Sequence, residues 1–146
     1  MSEIVDRARR NEGFTLVEVL VVVLIIGILA AIAIPLFLTQ ASKAHDVSAK
    51  AQVRTAETAA ETYSADNNGE YSGISVAVLQ GIEPTLSETV PAKLVKAEST
   101  SSKQYIVESE DPSTKATFSV ERNAEGSIVR KCSPEKTGGC PSGGEW

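Results

Sequence analysis

One stretch of the chain constrains everything else: from Val19 to Leu38 no side chain is charged or polar. These twenty residues match the length that an α-helix needs to cross the hydrocarbon core of a bilayer. The segments on both sides are polar. The sequence therefore predicts a short leader, one apolar segment and one small soluble part.

The composition and charge of the chain argue against several classes of function. The chain has 146 residues and a formal net charge of -5, which suits one domain of ordinary size. An acidic chain does not coat nucleic acid, because phosphate binding needs a positive field. One His and two Cys exclude a four-ligand Cys/His zinc site. The sequence has no Gly-rich phosphate loop, metal-spaced cluster or nucleophile motif, so we expect no catalytic residue, no metal and no cofactor: the chain is not expected to be an enzyme.

The leader carries Arg7, Arg9 and Arg10 just before the apolar run. Under the positive-inside rule these residues stay in the cytoplasm and the rest of the chain lies outside. A secretory signal peptide is one interpretation, with Ala31-Ile32-Ala33 as small residues for cleavage, but the apolar run is too long for it. An uncleaved membrane anchor is a second interpretation.

Neither interpretation explains Glu18, which stands among the apolar residues that open the run. A carboxylate in hydrocarbon costs at least a few kcal/mol and normally faces a partner. A position at the headgroup boundary is the simpler alternative, since Glu18 is near the start of the run.

The segment Gly13-Phe14-Thr15-Leu16-Val17-Glu18, followed by an apolar helix, resembles the prepilin signature of the type IV pilin family, and the block GILAAIAIP is also similar to that family. The resemblance implies that a membrane peptidase cuts between Gly13 and Phe14, that the apolar segment is kept, and that Phe14 is N-methylated. It also implies an assembly role for Glu18. Cleavage would create an α-amino group on Phe14, about one helical turn from Glu18, and Glu18 of an incoming subunit would attract the amine of a neighbour.

Gly27 and Pro35 interrupt the apolar helix. A tolerated kink, common in membrane helices, is the plain explanation. The resemblance suggests in addition that the stretch between them loses helicity on assembly, so we include both residues among the assembly positions.

The resemblance implies a structural subunit of a type IV pilus that polymerises into surface filaments for adhesion, twitching motility or DNA uptake. The alternative is a pseudopilin or minor pilin of a type II secretion or competence system. The expected partners are other copies of the chain, the prepilin peptidase, the assembly platform and, before assembly, the membrane, with no small-molecule substrate. The precursor would sit in the inner (cytoplasmic) membrane and the product on the cell surface.

The soluble part opens with a helix that we expect to continue the apolar one, from Phe14 to Asp66, where Asn67-Asn68-Gly69 stops it. Its inner face repeats at spacings of three and four, and the charged residues fall largely on the other face. The inner positions are Ala49, Val53, Ala56, Ala60 and Tyr63, and the charged ones are Lys50, Arg54, Glu57 and Glu61.

Strands follow the helix. Residues 104–109 and 116–121 have the β-branched and aromatic content or the alternation of strands, 128–132 completes the set, and 94–97 is a weaker candidate. The fold class is therefore α+β: a long N-terminal helix, its hydrophobic half protruding, packed on an antiparallel meander of three or four strands. We expect a short helical turn near Ser75–Gln80 in a loop that decorates the surface.

The expected organisation has a leader at 1–13, the apolar half of the helix at 14–38 and a globular head at 39–146. The head comprises the second half of the helix (39–66), an αβ loop (67–102), the β-meander (103–132) and a disulfide loop with a mobile tail (132–146). Cys132 and Cys140 enclose seven residues, and outside the cytoplasm we expect a disulfide between them. His45 is expected to be solvated.

Overall fold

A computed structural model describes residues 13–146 of the chain. The leader residues 1–12, with Arg7, Arg9 and Arg10, lie outside the described residues. The chain divides into two compact units, one ending at Leu38 and the other comprising Thr39–Trp146.

Helix α1 (Leu16–Asp66) contains the whole apolar stretch and the Ala-rich segment after it, as the sequence predicted to within two residues. The helix is continuous through Gly27 and Pro35. It ends where expected, because Asn68 and Gly69 adopt positive φ angles of 56° and 76°. The Gly69 N–H then donates to the Ser64 carbonyl at 2.8 Å, which satisfies one of the helix's free carbonyls.

The remaining elements confirm the α+β class. They are α2 (Val76–Ile82), a 3-10 turn (Pro84–Ser87), β1 (Lys93–Ser101), β2 (Gln104–Glu110), β3 (Thr117–Arg122) and β4 (Ile128–Ser133). The strands form one sheet in the order β1-β2-β3-β4, with every neighbouring pair antiparallel. This is the predicted meander, with the weak candidate at 94–97 belonging to a full strand.

The core lies between the second half of α1 and one face of the sheet. Alternate residues of β2, Tyr105, Val107 and Ser109, are buried because side chains of a strand point to opposite faces. Four of the five predicted inner-face residues of α1, Ala49, Val53, Ala56 and Ala60, are fully buried, and the fifth, Tyr63, is half-buried against the same core. Three of these four are alanines, which let the helix approach the sheet closely.

The loop after α1 corrects one expectation. It does not decorate the surface, since Tyr71, Leu79 and Leu86 are buried in the same core as the sheet residues. It also ends at Ala92 rather than at residue 102, because Lys93–Ser101 pair with β2 as strand β1. Its apolar residues cover a part of the core that the sheet leaves open, and this cannot be read from their irregular spacing.

The charged residues of α1 make specific contacts with the rest of the head. Glu57 pairs with Arg130 of β4 at 3.2 Å. Glu61 accepts hydrogen bonds from the Tyr71 hydroxyl at 2.7 Å and the Tyr105 hydroxyl at 3.1 Å, and it contacts Arg122 at 3.4 Å. Glu61 therefore joins α1 to the loop, to β2 and to β3.

The turn between β2 and β3 is the compact one expected from Asp111-Pro112-Ser113-Thr114. The Asp111 carboxylate accepts from the Ser113 N–H at 2.8 Å and from the Ser113 hydroxyl at 2.6 Å. Burial would raise the pKa of Asp111, but the hydrogen bonds from Ser113 and Thr114 outweigh it and hold the pKa below its usual range.

The C-terminal tail corrects a second expectation, since it is packed and not mobile. The Cys132 N–H donates to the Gly144 carbonyl at 2.7 Å, and Lys131 forms a β-bridge with Glu145. Trp146 donates from Nε1 to the Lys131 carbonyl at 2.8 Å and meets the Phe118 ring edge-on at 5.9 Å. The tail thus covers the outer edge of β4.

Tyr105 predicts how stability depends on alkaline pH. Burial, followed by the charge of Glu61, raises the pKa of Tyr105 above its ordinary value of 10.0. Above about pH 10 the unfolded chain releases a proton that the folded chain keeps, so the free energy of unfolding contributed by this phenol is fully present below pH 10 and declines above it. The expected slope is up to about 1.4 kcal/mol per pH unit.

We expect the Tyr105→Phe variant, measured by urea denaturation of the full chain in detergent between pH 8 and 11, to lose stability less steeply above pH 10 than the wild type. Ser109→Ala is the control, because it removes a buried hydroxyl from the same strand without removing a titrating group. Parallel pH profiles for Tyr105→Phe and the wild type would contradict the assignment.

Candidate functional site

The start of α1 is organised by Thr15. The Thr15 hydroxyl accepts the Glu18 N–H at 3.2 Å, and the Thr15 carbonyl accepts the Val19 N–H at 3.2 Å. These are the two bonds of a helix N-cap, which satisfy donors that otherwise have no partner in the first turn. Thr15 is therefore the residue that fixes where the helix begins.

The sequence analysis missed this role for Thr15. The signal was available, because a Thr followed three residues later by a Glu before an apolar run is the sequence of a capping box. The sequence analysis used Thr15 only as one residue of the Gly13–Glu18 signature.

Glu18 lies in the first turn of α1 and is exposed in the described chain. A carboxylate at this position interacts favourably with the positive end of the helix dipole, an effect of about 0.3–1 kcal/mol. The local structure thus gives Glu18 a favourable position within its own subunit, while its exposure leaves it open to a partner.

Gly13 and Phe14 precede the cap and are not helical. Among the described residues, and leaving aside its chain neighbours, nothing lies within 4 Å of the position of a Cβ on Gly13, and the Phe14 side chain is 78% exposed. The bond between these two residues, at which we predict cleavage, is therefore in open, non-helical backbone directly before the helix.

Gly27 and Pro35 are not brought close to Glu18. At 1.5 Å of rise per residue they lie about 14 Å and about 26 Å along the helix from it. The structure thus groups Gly13, Phe14 and Glu18 at one helix end and leaves Gly27 and Pro35 as separate positions in the middle of the apolar stretch.

The apolar stretch itself is unprotected. All seventeen large apolar side chains between Leu16 and Leu38 are exposed, from 45% at Val22 to 80% at Leu16. The helix is long and apolar enough to cross a membrane by length and composition. A soluble protein does not leave an apolar surface of this size in water.

The second unit holds the disulfide. Cys132 at the end of β4 is bonded to Cys140, with the two Cα atoms 5.6 Å apart, as expected from their spacing. Both cysteines are buried.

Other side chains offer little for chemistry. Within residues 13–146, no three His, Cys, Asp or Glu side chains are grouped so as to hold a metal ion. His45, which we expected to be solvated, is half-buried and lines an open depression with Val90, Pro91 and Pro112.

Known proteins resemble this chain around the start of α1. The family model described as the prokaryotic N-terminal methylation motif matches residues 8–34. The chain is 38% identical over 77 residues to the type IV wide pilus major component PilA4 of Thermus thermophilus, and 42% identical over 60 residues to the type II secretion system core protein G of Aeromonas hydrophila. It is 46% identical over 54 residues to the type IV major pilin protein PilA of Myxococcus xanthus.

The chain is thus similar to type IV pilins and to the type II secretion system core protein G, and its residues 8–34 match the N-terminal methylation motif.

The similarity covers only part of each protein. The three alignments span 53%, 41% and 37% of this chain and 59%, 42% and 24% of the respective relatives. The search of solved structures found no significant match.

The cap at Thr15 predicts a local stability effect. Thr15→Val keeps the β-branched shape but removes the oxygen that accepts the Glu18 N–H, which should cost about 1 kcal/mol of helix-end stability. We expect hydrogen exchange of the Glu18 amide in detergent micelles to be roughly fivefold faster in this variant.

Thr58→Val is the matched control, since its hydroxyl donates to the Arg54 carbonyl in the helix interior and caps nothing. Equal exchange at Glu18 in the Thr15 variant and the wild type would show that Thr15 does not cap the helix.

Proposed function

We propose that this chain is the precursor of a filament subunit, a type IV pilin, which polymerises through the apolar part of α1. The observation that carries the proposal is the exposed apolar surface of Leu16–Leu38, interrupted by a single charge at Glu18. That surface requires a partner, and a second copy of the same helix has the right length and chemistry.

The energetics favour two environments for this helix. Removing one Val, Leu or Ile side chain from water contributes about 1.5–3 kcal/mol, so seventeen of them make exposure to water untenable. Lipid and a core of packed helices are similarly apolar, and moving between them changes the hydrophobic term little. Polar contacts must therefore decide when and in what register the helix leaves the membrane.

Glu18 supplies that contact in the proposal. Cleavage between Gly13 and Phe14 frees an α-amino group one turn before Glu18, with an ordinary pKa near 8 that leaves it largely cationic at neutral pH. N-methylation of Phe14 keeps this amine basic. Glu18 of an incoming subunit pairs with the amine of a subunit already in the filament, and a subunit in the wrong register leaves both charges without a partner.

Gly27 and Pro35 serve the same assembly. Pro35 removes one helical hydrogen bond and Gly27 lacks the Cβ that restricts the backbone, so the stretch between them is the least costly part of the apolar helix to unwind. We propose that it loses helicity when the subunit packs into the filament.

The precursor would meet two partners in the inner membrane before the filament reaches the cell surface. The prepilin peptidase and the assembly platform act on the precursor in the inner membrane, and the finished filament lies at the cell surface, where it serves adhesion, twitching motility or DNA uptake. Subunits related by a helical operator that does not close form a filament of indefinite length.

A pseudopilin of a type II secretion system is the second candidate, favoured by the relatives named type II secretion system core protein G in several bacteria. Electron microscopy of sheared cell surfaces, with peptide mapping of the filaments, separates the two. Long surface fibres made of this chain support the pilin, and their absence together with secretion failure on deletion supports the pseudopilin.

Mass spectrometry of the mature protein tests processing. We expect an N-terminal Phe14 carrying one methyl group, and the loss of residues Met1–Gly13. In a Gly13→Leu variant the leader should remain attached, because the larger side chain occupies the residue that precedes the cut. An intact leader in the wild-type protein would refute the processing step.

The Glu18→Ala variant tests assembly. We expect it to be inserted and processed normally but to yield at least about tenfold less sheared filament, because the Phe14 amine loses its partner. The control is Asp66→Ala, which removes an exposed carboxylate from the other end of the same helix. Filament from Glu18→Ala in wild-type amounts would contradict the proposal.

A further inference from the structure

Asp46 is a fully buried carboxylate on α1 that the assembly proposal does not use. It occupies the inner stripe of the helix, three residues before Ala49 and seven before Val53. An acid on an otherwise apolar stripe is costly to bury unless it is hydrogen-bonded, so its partners indicate what it does.

Those partners come from two distant segments. Asp46 Oδ2 accepts the Gly139 N–H at 2.6 Å, and Asp46 Oδ1 accepts the Thr114 hydroxyl at 3.2 Å. Gly139 directly precedes Cys140, and Thr114 belongs to the turn between β2 and β3. A single carboxylate therefore fixes the disulfide loop and that turn to the helix.

Lys50, one helical turn further on, holds the same residue of the loop from its other side. Its Nζ donates to the Gly139 carbonyl at 2.6 Å and lies 5.2 Å from the centre of the Phe118 ring. Asp46 and Lys50 together bind both the N–H and the C=O of Gly139.

The loop is shaped for this contact. Gly138 has a φ of +56°, and a Cβ there would overlap the Asp46 carboxylate. A Cβ on Gly139 would lie 3.0 Å from Asp46 Cβ. Because Gly138 and Gly139 have no Cβ, the loop backbone can approach the buried Asp46 carboxylate. A side chain at either position would displace that carboxylate.

We propose that Asp46 and Lys50 form a docking site for the backbone of Gly139 that places the Cys140 thiol against Cys132 and so controls the formation and reduction of the disulfide. Cys132 is held independently by β4 and by the tail, through its N–H to the Gly144 carbonyl. Cys140 lies in a loop. Docking of the adjacent Gly139 therefore raises the effective concentration of the Cys140 thiol at Cys132.

The chemistry is ordinary thiol–disulfide exchange with an external disulfide such as oxidised glutathione. One cysteine thiolate attacks the glutathione disulfide and releases one glutathione thiolate. The second cysteine then attacks the mixed disulfide, the Cys132–Cys140 bond forms, and the second glutathione leaves. Reduction reverses these steps and requires the loop to leave α1, because both sulfurs belong to buried residues.

The test is the equilibrium constant for disulfide formation in the folded full chain, measured in detergent with glutathione redox buffers, alkylation of free thiols and mass spectrometry. Asp46→Asn should lower this constant about tenfold. The substitution weakens the hydrogen bond that the docked loop makes to the charged carboxylate, whereas the undocked loop makes no such bond and is unaffected. Lys50→Met, which keeps the aliphatic stem, is measured in parallel and should lower the constant in the same direction by at least about threefold.

Glu61→Gln is the matched control. Glu61 lies on the same helix and bonds to Tyr71, Tyr105 and Arg122 but to no residue of the disulfide loop. Its replacement should weaken the fold and leave the redox equilibrium within about twofold of the wild type. A change below about threefold in either folded docking variant, or an equal fall in Glu61→Gln, overturns the proposal and leaves Asp46 a purely structural acid.

Discussion

The incompatibility of the Leu16–Leu38 surface with water governs the rest of this protein. Seventeen exposed large apolar side chains on one helix need either lipid or other helices around them. Because these two environments are nearly equivalent for an apolar side chain, the hydrophobic effect holds the helix out of water without choosing between them. In the proposed assembly the choice falls to the polar groups at the helix start, among which Glu18 is the one charged side chain in the apolar run.

In the proposed assembly Glu18 serves both its own subunit and a neighbour. In its own subunit it occupies the first helical turn, where Thr15 caps the backbone and a negative charge suits the helix dipole. Its side chain remains exposed, so it is available to the amine that cleavage would create on an adjoining copy. The two interpretations of Glu18 are therefore compatible. Glu18 would lie at the headgroup boundary while the subunit is in the membrane and would pair with a neighbouring subunit during the proposed assembly.

The soluble unit is held to the second half of α1 by polar contacts as much as by apolar packing. Alanines bring the helix close to the sheet. Asp46 and Lys50 both contact Gly139 of the disulfide loop, whereas Glu57 contacts β4 and Glu61 contacts β2. Glu61 joins the loop, β2 and β3, whereas Asp46 and Lys50 secure the disulfide loop. One helix thus contacts several segments of the head along its length, through two pairs of side chains whose members are each about one turn apart.

The sequence alone determined the extent of α1 to within two residues, the meander of strands and the cysteine pair, because these depend on local periodicity, propensity and spacing. The buried stripe at Ala49, Val53, Ala56 and Ala60 was readable in the same way. Asp46 lies on that stripe at the same spacing, yet an acid is normally assigned to solvent, and only the position of Gly139 shows what satisfies it.

The tertiary structure alone decided the roles of the charged helix residues, the burial of Tyr71, Leu79 and Leu86, and the docking of Trp146 on β4. The physical reason is that each depends on segments far apart in the chain meeting at one place. A sequence records which side chains can donate, accept or be buried. The fold decides which partner each of them meets.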